Sequence, residues 1–236
     1  LAFETNLLYL DVTNSRIGIG TSSPATTLDV NGTITATTVT TTNLTVGGAT
    51  PIVGKNAGTN FTGSLLVGHS TTGTLSSAEK NVAVGLTALD AITSGDNNSA
   101  LGHGALTTVT TGSYNTAVGM NASKLTLGGD ENVAIGYNSV RTNSTGDRNV
   151  GVGSNSLYWN SGGGYNTAIG HDGLKLTTGD YNTGLGYRAG DNITSGDGNV
   201  IIGSVDAASA TGDRQLKIAG YDGTTTTTWI TGNSSG

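Results

Sequence analysis

The sequence predicts an all-β solenoid, in which the chain winds through about nine stacked turns of about 17 residues each. Two recurring markers support this fold class. The first is a pentapeptide of the type Asn-Val-Ala-Val-Gly, whose asparagines follow one another at steps of 17, 17, 17, 17, 17, 16 and 17 residues: Asn81, Asn98, Asn115, Asn132, Asn149, Asn166, Asn182 and Asn199. The second is a glycine three residues before each asparagine from the second copy onward: Gly95, Gly112, Gly129, Gly146, Gly163, Gly179 and Gly196. Two markers that stay in phase over eight copies indicate a repeat protein.

The length of the repeat favours strands over helices. Seventeen residues are too few for two helices and a turn, and the β-branched and threonine content is typical of strands. Two strands of about five residues with two tight turns complete one turn of a solenoid, and each strand then pairs in parallel with its equivalent one turn on. We expect the first strand at Val82 to Val84 and the second around Ala88 and Leu89.

The recurrent residues have expected structural roles. The glycines typified by Gly95 are expected to supply a positive φ in each turn. The asparagines are expected to form a ladder of side-chain hydrogen bonds between turns. Within the strand, Val84 alternates with the small residue Ala83, so one face is bulky and the other is nearly bare backbone. We expect the small face to allow close approach of another strand or another chain.

The chain divides into four predicted segments. Around the turn at 13–15, two short apolar runs predict a hairpin, and Asn31-Gly32 is a second hairpin signal. A threonine-rich stretch then predicts a β stalk, with a flexible polar linker as the alternative. The segments are an N-terminal β-hairpin segment (1–32), the stalk or linker (33–63), the β-roll repeat domain (64–220) and an exit strand or linker (221–236).

Composition limits the classes of function. With 34% hydrophobic and 5% aromatic residues, the chain is too poor in large apolar side chains for an ordinary compact core, so it depends on repetition or oligomerisation. The net charge of −6 argues against nucleic acid, and no apolar run is long enough for membrane insertion. The absence of cysteine excludes disulfides and thiolate metal sites. Because Leu1 is not an initiator methionine, we expect a segment of a longer chain or a processed product.

The pentapeptide, with variants such as Asn132-Val133-Ala134-Ile135-Gly136, resembles the head repeat of trimeric autotransporter adhesins. The resemblance covers roughly residues 64–220, at a spacing somewhat longer than is usual in that family. It implies a left-handed parallel β-roll and the association of three rolls into a homotrimer. A trimer also agrees with the small strand face described above.

A second motif, running from Arg16-Ile17-Gly18-Ile19-Gly20 to Asn31-Gly32, resembles a segment common in bacteriophage tail fibres and related virion fibres. This resemblance implies a virion fibre that attaches to a host-cell glycan or protein and contacts other virion fibre or tail proteins, in an extracellular location. The leading alternative is a bacterial trimeric surface adhesin, although the membrane anchor and the coiled-coil stalk of that family are absent from the sequence. A polysaccharide depolymerase ranks third.

Catalytic and metal chemistry have weak sequence support. His69, His103 and His171 share one repeat position, and three copies around a trimer axis would suit a metal, but the position holds unrelated residues in other repeats. Aspartates follow most turn glycines, where calcium is one reading and a turn hydrogen bond is the favoured one: Asp96, Asp130, Asp147, Asp180 and Asp197. We expect no metal, no cofactor and no enzyme, because neither a catalytic triad nor a carboxylate pair stands out.

Exposed aromatic residues are the predicted recognition site. Tyr158-Trp159 lies where other repeats have small or polar residues, and an aromatic pair can stack on a sugar ring or anchor a protein contact. Tyr137 and Tyr187 are the other candidates. The alternative for all four is packing at a seam between chains. An ice-binding surface is not favoured, because the residue after the repeating asparagine alternates between valine, serine and threonine.

Overall fold

The computed structural model describes residues 8–31, 65–67 and 76–233. The chain forms two compact units, Leu1–Asn43 and Leu44–Gly236. The described residues are all β, with no helix, and hence no helix that is long and apolar enough to cross a membrane. The predicted threonine-rich stalk, 33–63, and His69 lie outside the described residues.

The described part of the first unit is a three-stranded sheet of β1 (Tyr9–Asp11), β2 (Arg16–Ile19) and β3 (Leu28–Val30). Strands β1 and β2 are antiparallel, and the Asp11 carboxylate closes the turn between them by accepting the backbone N–H groups of Thr13 and Asn14. Strand β3 pairs in parallel with β2. The strand predicted to pair with β3 across Asn31-Gly32 lies outside the described residues.

The second unit is a β-solenoid of about eight turns, whose strands form one sheet in chain order. The strands are β4 (Leu65–Val67), β5 (Val82–Val84), β6 (Ser99–Leu101), β7 (Thr116–Val118), β8 (Val133–Ile135), β9 (Val150–Val152), β10 (Thr167–Ile169), β11 (Thr183–Leu185), β12 (Val200–Ile202), β13 (Leu216–Tyr221) and β14 (Thr226–Gly232). From β4 to β13 each strand pairs in parallel with the next, at the spacing of the pentapeptide. The further turn expected around Ser64 falls mostly outside the described residues.

The second strand predicted in each repeat is absent from the described turns. At the position predicted for this strand, Thr87 and Leu89 have positive φ values of 57° and 53°. Residues in the left-handed region therefore alternate with residues of negative φ, and the segment is not an extended strand. The segment still bonds to the next turn, because the N–H of Leu89 donates to the carbonyl of Ala105. The prediction failed because residues other than glycine seldom adopt a left-handed φ, and the amino-acid composition does not show where they do so.

The interior of the solenoid is narrow and built from stacked columns. The small strand residues, from Ala83 to Ala168, are almost fully buried, and a large aliphatic residue such as Leu89 or Leu157 fills the space opposite them. The expectation that the small face lies against another chain is therefore wrong. It faces the solenoid's own interior, where a narrow core leaves room only for alanine or glycine, and the bulky strand residues point outward.

The asparagine ladder is present, and it joins the two sequence markers. Each ladder asparagine is buried, and from Asn81 to Asn182 its Oδ1 accepts the backbone N–H of the next asparagine, as in the 2.8 Å bond from Asn98 N to Asn81 Oδ1. Asn199 Oδ1 accepts the backbone N–H of Gln215. From Asn81 to Asn182 the Nδ2 group donates to the carbonyl of the turn glycine 13 or 14 residues on, as in the 2.8 Å bond from Asn98 Nδ2 to Gly112 O. Asn199 Nδ2 donates instead to Asn182 Oδ1 at 2.9 Å. Direct amide-to-amide bonds occur in some turns, including Asn115 Nδ2 to Asn98 Oδ1 at 3.2 Å.

The turn aspartates form a second ladder of opposite direction. In most turns the backbone N–H at the aspartate position donates to the aspartate one turn later, as from Asp130 to Asp147 Oδ1 at 2.8 Å; the exception follows Asp147, where Gly164 has no side-chain acceptor. Where Ser113 replaces aspartate, its hydroxyl accepts the N–H of Asp96. These bonds account for the recurring aspartates as turn residues. Within the described residues no group of three or more potential metal ligands occurs.

The role predicted for the turn glycines is wrong. Gly95 and its equivalents do not have a positive φ; the positive values belong to the strand-ending glycines, such as 137° at Gly85, and to the residue before each asparagine, such as 56° at Lys80. The turn glycines are required for space, because a Cβ at Gly95 would overlap the carbonyl oxygen of Gly112 in the next turn. Close stacking, not backbone conformation, selects glycine at this position.

Candidate recognition surface

The predicted aromatic pair lies on the segment that follows the strand. The rings of Tyr158 and Trp159 meet edge to face, with centroids 5.1 Å apart and planes at 72°. The Arg141 guanidinium lies 5.3 Å from the Tyr158 ring centre, and its Nη1 donates to the Tyr158 hydroxyl at 3.1 Å. Tyr158 is thus held in place by two neighbours, while Trp159 remains 48% exposed and presents its indole to solvent. An exposed indole on a fixed support suits stacking against a planar or sugar ligand.

Tyr137 and Tyr187 occupy another corner of the solenoid, directly after the strand-ending glycine. Both are about half exposed. Tyr187 stacks on His171 of the preceding turn, with centroids 5.6 Å apart and planes at 23°. Nδ1 of His171 also lies 3.3 Å from a carboxylate oxygen of Asp172. Within the described residues, no ring contact joins this corner to the Trp159 pair, so the four predicted residues form separate features.

Sequence reasoning missed a row of exposed side chains on four consecutive turns. The row, here called the tyrosine row, consists of Glu131, Arg148, Tyr165 and Tyr181, each directly before a ladder asparagine. Tyr165 and Tyr181 stack with centroids 4.7 Å apart and planes at 14°. Aligning the residues before each asparagine would have revealed the row, because the position falls at steps of 17, 17 and 16.

Within the tyrosine row, the Arg148 side chain connects Glu131 to Tyr165. Arg148 donates from Nε and Nη2 to the two Glu131 carboxylate oxygens, both at 3.0 Å, and from Nη1 to the Tyr165 hydroxyl at 2.6 Å. The hydrogen bonds and the charge of Arg148 hold the pKa of the Glu131 carboxyl below its usual value. Because these side chains are exposed, the ion pair adds little to stability, and its main effect is to fix their positions.

A cavity of about 430 Å³ lies near the C-terminal end of the solenoid, where the repeat gives way to the hairpin of β13 and β14. Its lining includes Tyr187, Arg188, Asp191, Asp206, Lys217 and Tyr221. Burial raises the pKa of the Asp206 carboxyl, and the neighbouring Asp191 raises it further. Sequence reasoning found only Tyr187 here, because most of the other lining residues come from the segment after β12 and from the terminal hairpin, where the repeat ends.

The arrangement of stacked, laddered turns defines the chain as a β-solenoid repeat protein. Comparison with protein-family models, with curated proteins and with solved structures finds no match to the chain.

Proposed function

We propose that the chain is a structural and adhesive segment of a homotrimeric virion fibre, which mediates attachment to a host-cell surface. The observation that supports association is an outward row of aliphatic side chains, one at the third residue of each of eight strands. This aliphatic row consists of Val84, Leu101, Val118, Ile135, Val152, Ile169, Leu185 and Ile202. The pattern holds on every strand from β5 to β12.

The aliphatic row is not needed by the solenoid's own interior. The core is filled by the alanine and leucine columns on the other side of the sheet, while side chains such as Leu101 remain 52% exposed. Parallel sheets in proteins are generally covered on both faces. At a strand spacing of about 4.8 Å, eight members make a straight strip about 34 Å long. An exposed apolar strip of this length is typical of an interaction surface.

A second and third copy of the same chain fit the aliphatic row best. Copies that run side by side in the same direction, around an axis parallel to the solenoid, would place each row against rows of equal length and spacing. Closed cyclic symmetry is the common way in which identical chains cover such surfaces. The number three comes from the resemblance of the pentapeptide to trimeric adhesin head repeats.

The adhesive part of the proposal rests on the contrast between scaffold and surface. The scaffold is fixed by two ladders of buried or half-buried hydrogen bonds, whereas Trp159 and the tyrosine row present aromatic faces to solvent. Exposed aromatics on a rigid support are suited to a glycan or protein of the host surface. The virion assignment is supported by the resemblance of the motif from Arg16 to Gly32 to virion fibre segments, which implies an extracellular location with other fibre or tail proteins as neighbours.

Association is tested by the mass in solution, measured by light scattering on the purified chain. We expect a species near three times 23.5 kDa. Ile135→Asp, in the middle of the aliphatic row, should shift that mass towards the monomer, because a carboxylate would be buried in the seam. Thr145→Asp, on an exposed turn, is the matched control and should leave the mass unchanged. A wild-type monomer would contradict the proposal.

Attachment is tested by capture of whole bacterial cells on surfaces coated with the chain. We expect capture of a subset of strains, with Trp159→Ala and Tyr181→Ala each weakening it, because both side chains are exposed and aromatic. A coating that captures no strain from a broad panel would count against the adhesive role and leave only the structural one.

A further inference from the structure

The cavity near the C-terminal end lies where the repeats of the described solenoid give way to the terminal hairpin. Its walls come from three places: the turn at Tyr187 to Asp191, the segment after β12 at 204–206, and the terminal hairpin of β13 and β14. The aromatic rows repeat from turn to turn, but this cavity depends on the one antiparallel pairing that the described sheet of the second unit contains. It is therefore a single site per chain, with a volume of about 430 Å³ that lies within the usual range of ligand pockets, about 300–1,000 Å³.

The charges around the cavity are balanced and partly fixed. Arg188 and Lys217 supply two cations, and Asp191 and Asp206 supply two carboxyl groups. The Arg188 Nε donates to a carboxylate oxygen of Asp191, whose side chain is only 12% exposed, so this pair is held in place. A singly charged ligand would face equal numbers of attractive and repulsive groups. A neutral ligand with many hydroxyl groups can instead donate to the carboxylates and accept from the cations.

Two tyrosines add apolar faces to this polar lining. Tyr187 and Tyr221 are 55% and 51% exposed. Neither ring is free to turn away: Tyr187 stacks on His171, and the Tyr221 hydroxyl donates to the carbonyl of Gly223 at 2.8 Å. Ligand sites generally combine such aromatic faces with a few well-placed polar groups. A pyranose ring has the complementary construction, with apolar C–H faces and a rim of hydroxyl groups.

We propose that this cavity binds a neutral saccharide unit, and that it is the primary glycan contact of the chain. The inference rests on the proposed attachment function and deepens it by naming the ligand class and the site. Asp206 and Asp191 accept hydrogen bonds from sugar hydroxyls, Lys217 donates to them, and Tyr187 and Tyr221 flank the ring. Trp159 and the tyrosine row then act as secondary contacts for the rest of the glycan.

The test is titration of the full chain with lactose, maltose, cellobiose and diacetylchitobiose, followed by NMR. At least one of these neutral disaccharides should shift the ring-proton signals of Tyr187 and Tyr221. Shifts confined to Tyr158 and Trp159, or no shifts with any of the four at millimolar concentration, would overturn the proposal. This arm uses the unaltered protein, so it does not depend on the folding of a variant.

Substitutions supply the second arm. Tyr221→Ala and Asp206→Ala should each weaken binding of the responding disaccharide at least tenfold, while Tyr114→Ala, at an exposed tyrosine outside both the cavity and the tyrosine row, should leave it unchanged. Equal binding by the wild type and both cavity variants would overturn the site. A wild-type chain that forms trimers and captures cells but shows no cavity response defeats only this inference. A monomer that captures no cells defeats the proposed function itself.

Discussion

Removing one rung of the asparagine ladder is the most direct test of what stabilises the solenoid. Asn98 is fully buried and takes part in three hydrogen bonds that depend on its side chain. Its Nδ2 donates to Gly112 O at 2.8 Å, and its Oδ1 accepts from the backbone N–H of Asn115 at 3.0 Å and from Asn115 Nδ2 at 3.2 Å. Asn98→Ala removes all three bonds without changing the backbone.

The expected cost follows from the groups left without partners. Asn115 Nδ2 keeps its 2.8 Å bond to Gly129 O, but the backbone N–H of Asn115 and the carbonyl of Gly112 lose theirs. Each buried backbone group left unpaired costs about 1–3 kcal/mol, so Asn98→Ala should lower the free energy of unfolding by about 2–6 kcal/mol. Ser99→Ala, at the adjacent exposed position, should change it by less than about 0.5 kcal/mol.

Urea unfolding followed by circular dichroism measures both variants. The protein concentration must be equal throughout, because association would add to the apparent stability. Asn98→Asp gives a further check: it keeps the acceptor for Asn115 but turns a carboxylate oxygen towards Gly112 O, and it should regain stability as the pH falls and the carboxyl becomes a donor. An Asn98→Ala midpoint no lower than that of Ser99→Ala would refute the assignment of stability to the ladder.

Three further predictions concern the backbone and the terminal hairpin. Gly146→Val should destabilise the chain by about 1–3 kcal/mol in urea unfolding, because its Cβ would overlap the carbonyl of Gly163; unchanged unfolding would contradict the close stacking. Lys80→Gly should stabilise it by up to about 1 kcal/mol, raising the melting temperature, because φ is 56° at an exposed lysine; a lower melting temperature would contradict this. Hydrogen bonds from the N–H groups of Thr225 and Thr224 lower the pKa of the Asp222 carboxyl to about 2, so an NMR titration should find its midpoint near that value. The contribution of Asp222 to stability should be complete above the unfolded pKa of 3.8 and should be lost as the pH falls towards 2. A titration midpoint near 3.8 would contradict those hydrogen bonds.

The parts of the fold that sequence predicts well are those fixed by a period. The asparagine marker and the glycine marker, of which Asn98 and Gly112 are examples, both recur about every 17 residues. This shared period predicts parallel strands one turn apart, and the structure contains them. The spacing also predicts that the asparagine connects turns. The structure also shows that Nδ2 of Asn98 bonds to Gly112, a glycine of the second marker. This contact results from the stacking of turns in three dimensions, and the spacing of residues along the sequence does not predict it.

The errors come from roles that depend on distances between turns. The sequence predicts a positive φ at Gly95 because that is the commoner reason for a turn glycine, whereas its actual constraint is the neighbouring carbonyl of Gly112. The small size of Ala83 predicts close approach of another strand or another chain, but the narrow interior of the solenoid requires the same small size. Composition alone does not show which of the alternative reasons for a small residue applies at each position.

The candidate site was predicted only in part for a related reason. The rarity of aromatic residues within a repeat points to Trp159 but not to Tyr165 and Tyr181, which are notable because they stack on each other across turns. The cavity around Asp206 was beyond sequence reasoning, because it forms where the repeat ends and spacing no longer predicts which residues meet.

The two ladders run in opposite directions along the solenoid, and this has a consequence for how such a chain changes in length. Asn98 donates its N–H to the turn before it, and Asp130 donates its N–H to the turn after it, so the turns that carry both residues make the same two connections. Insertion or loss of one complete unit leaves each rung with an equivalent partner. The shorter step from Asn166 to Asn182 is accommodated between Thr177 and Gly179, in the turn, while Asn182 still bonds to Asn166 at 2.9 Å. Duplication of one repeat within the gene therefore lengthens the protein by about 4.8 Å and requires no new kind of hydrogen bond at the junction between turns.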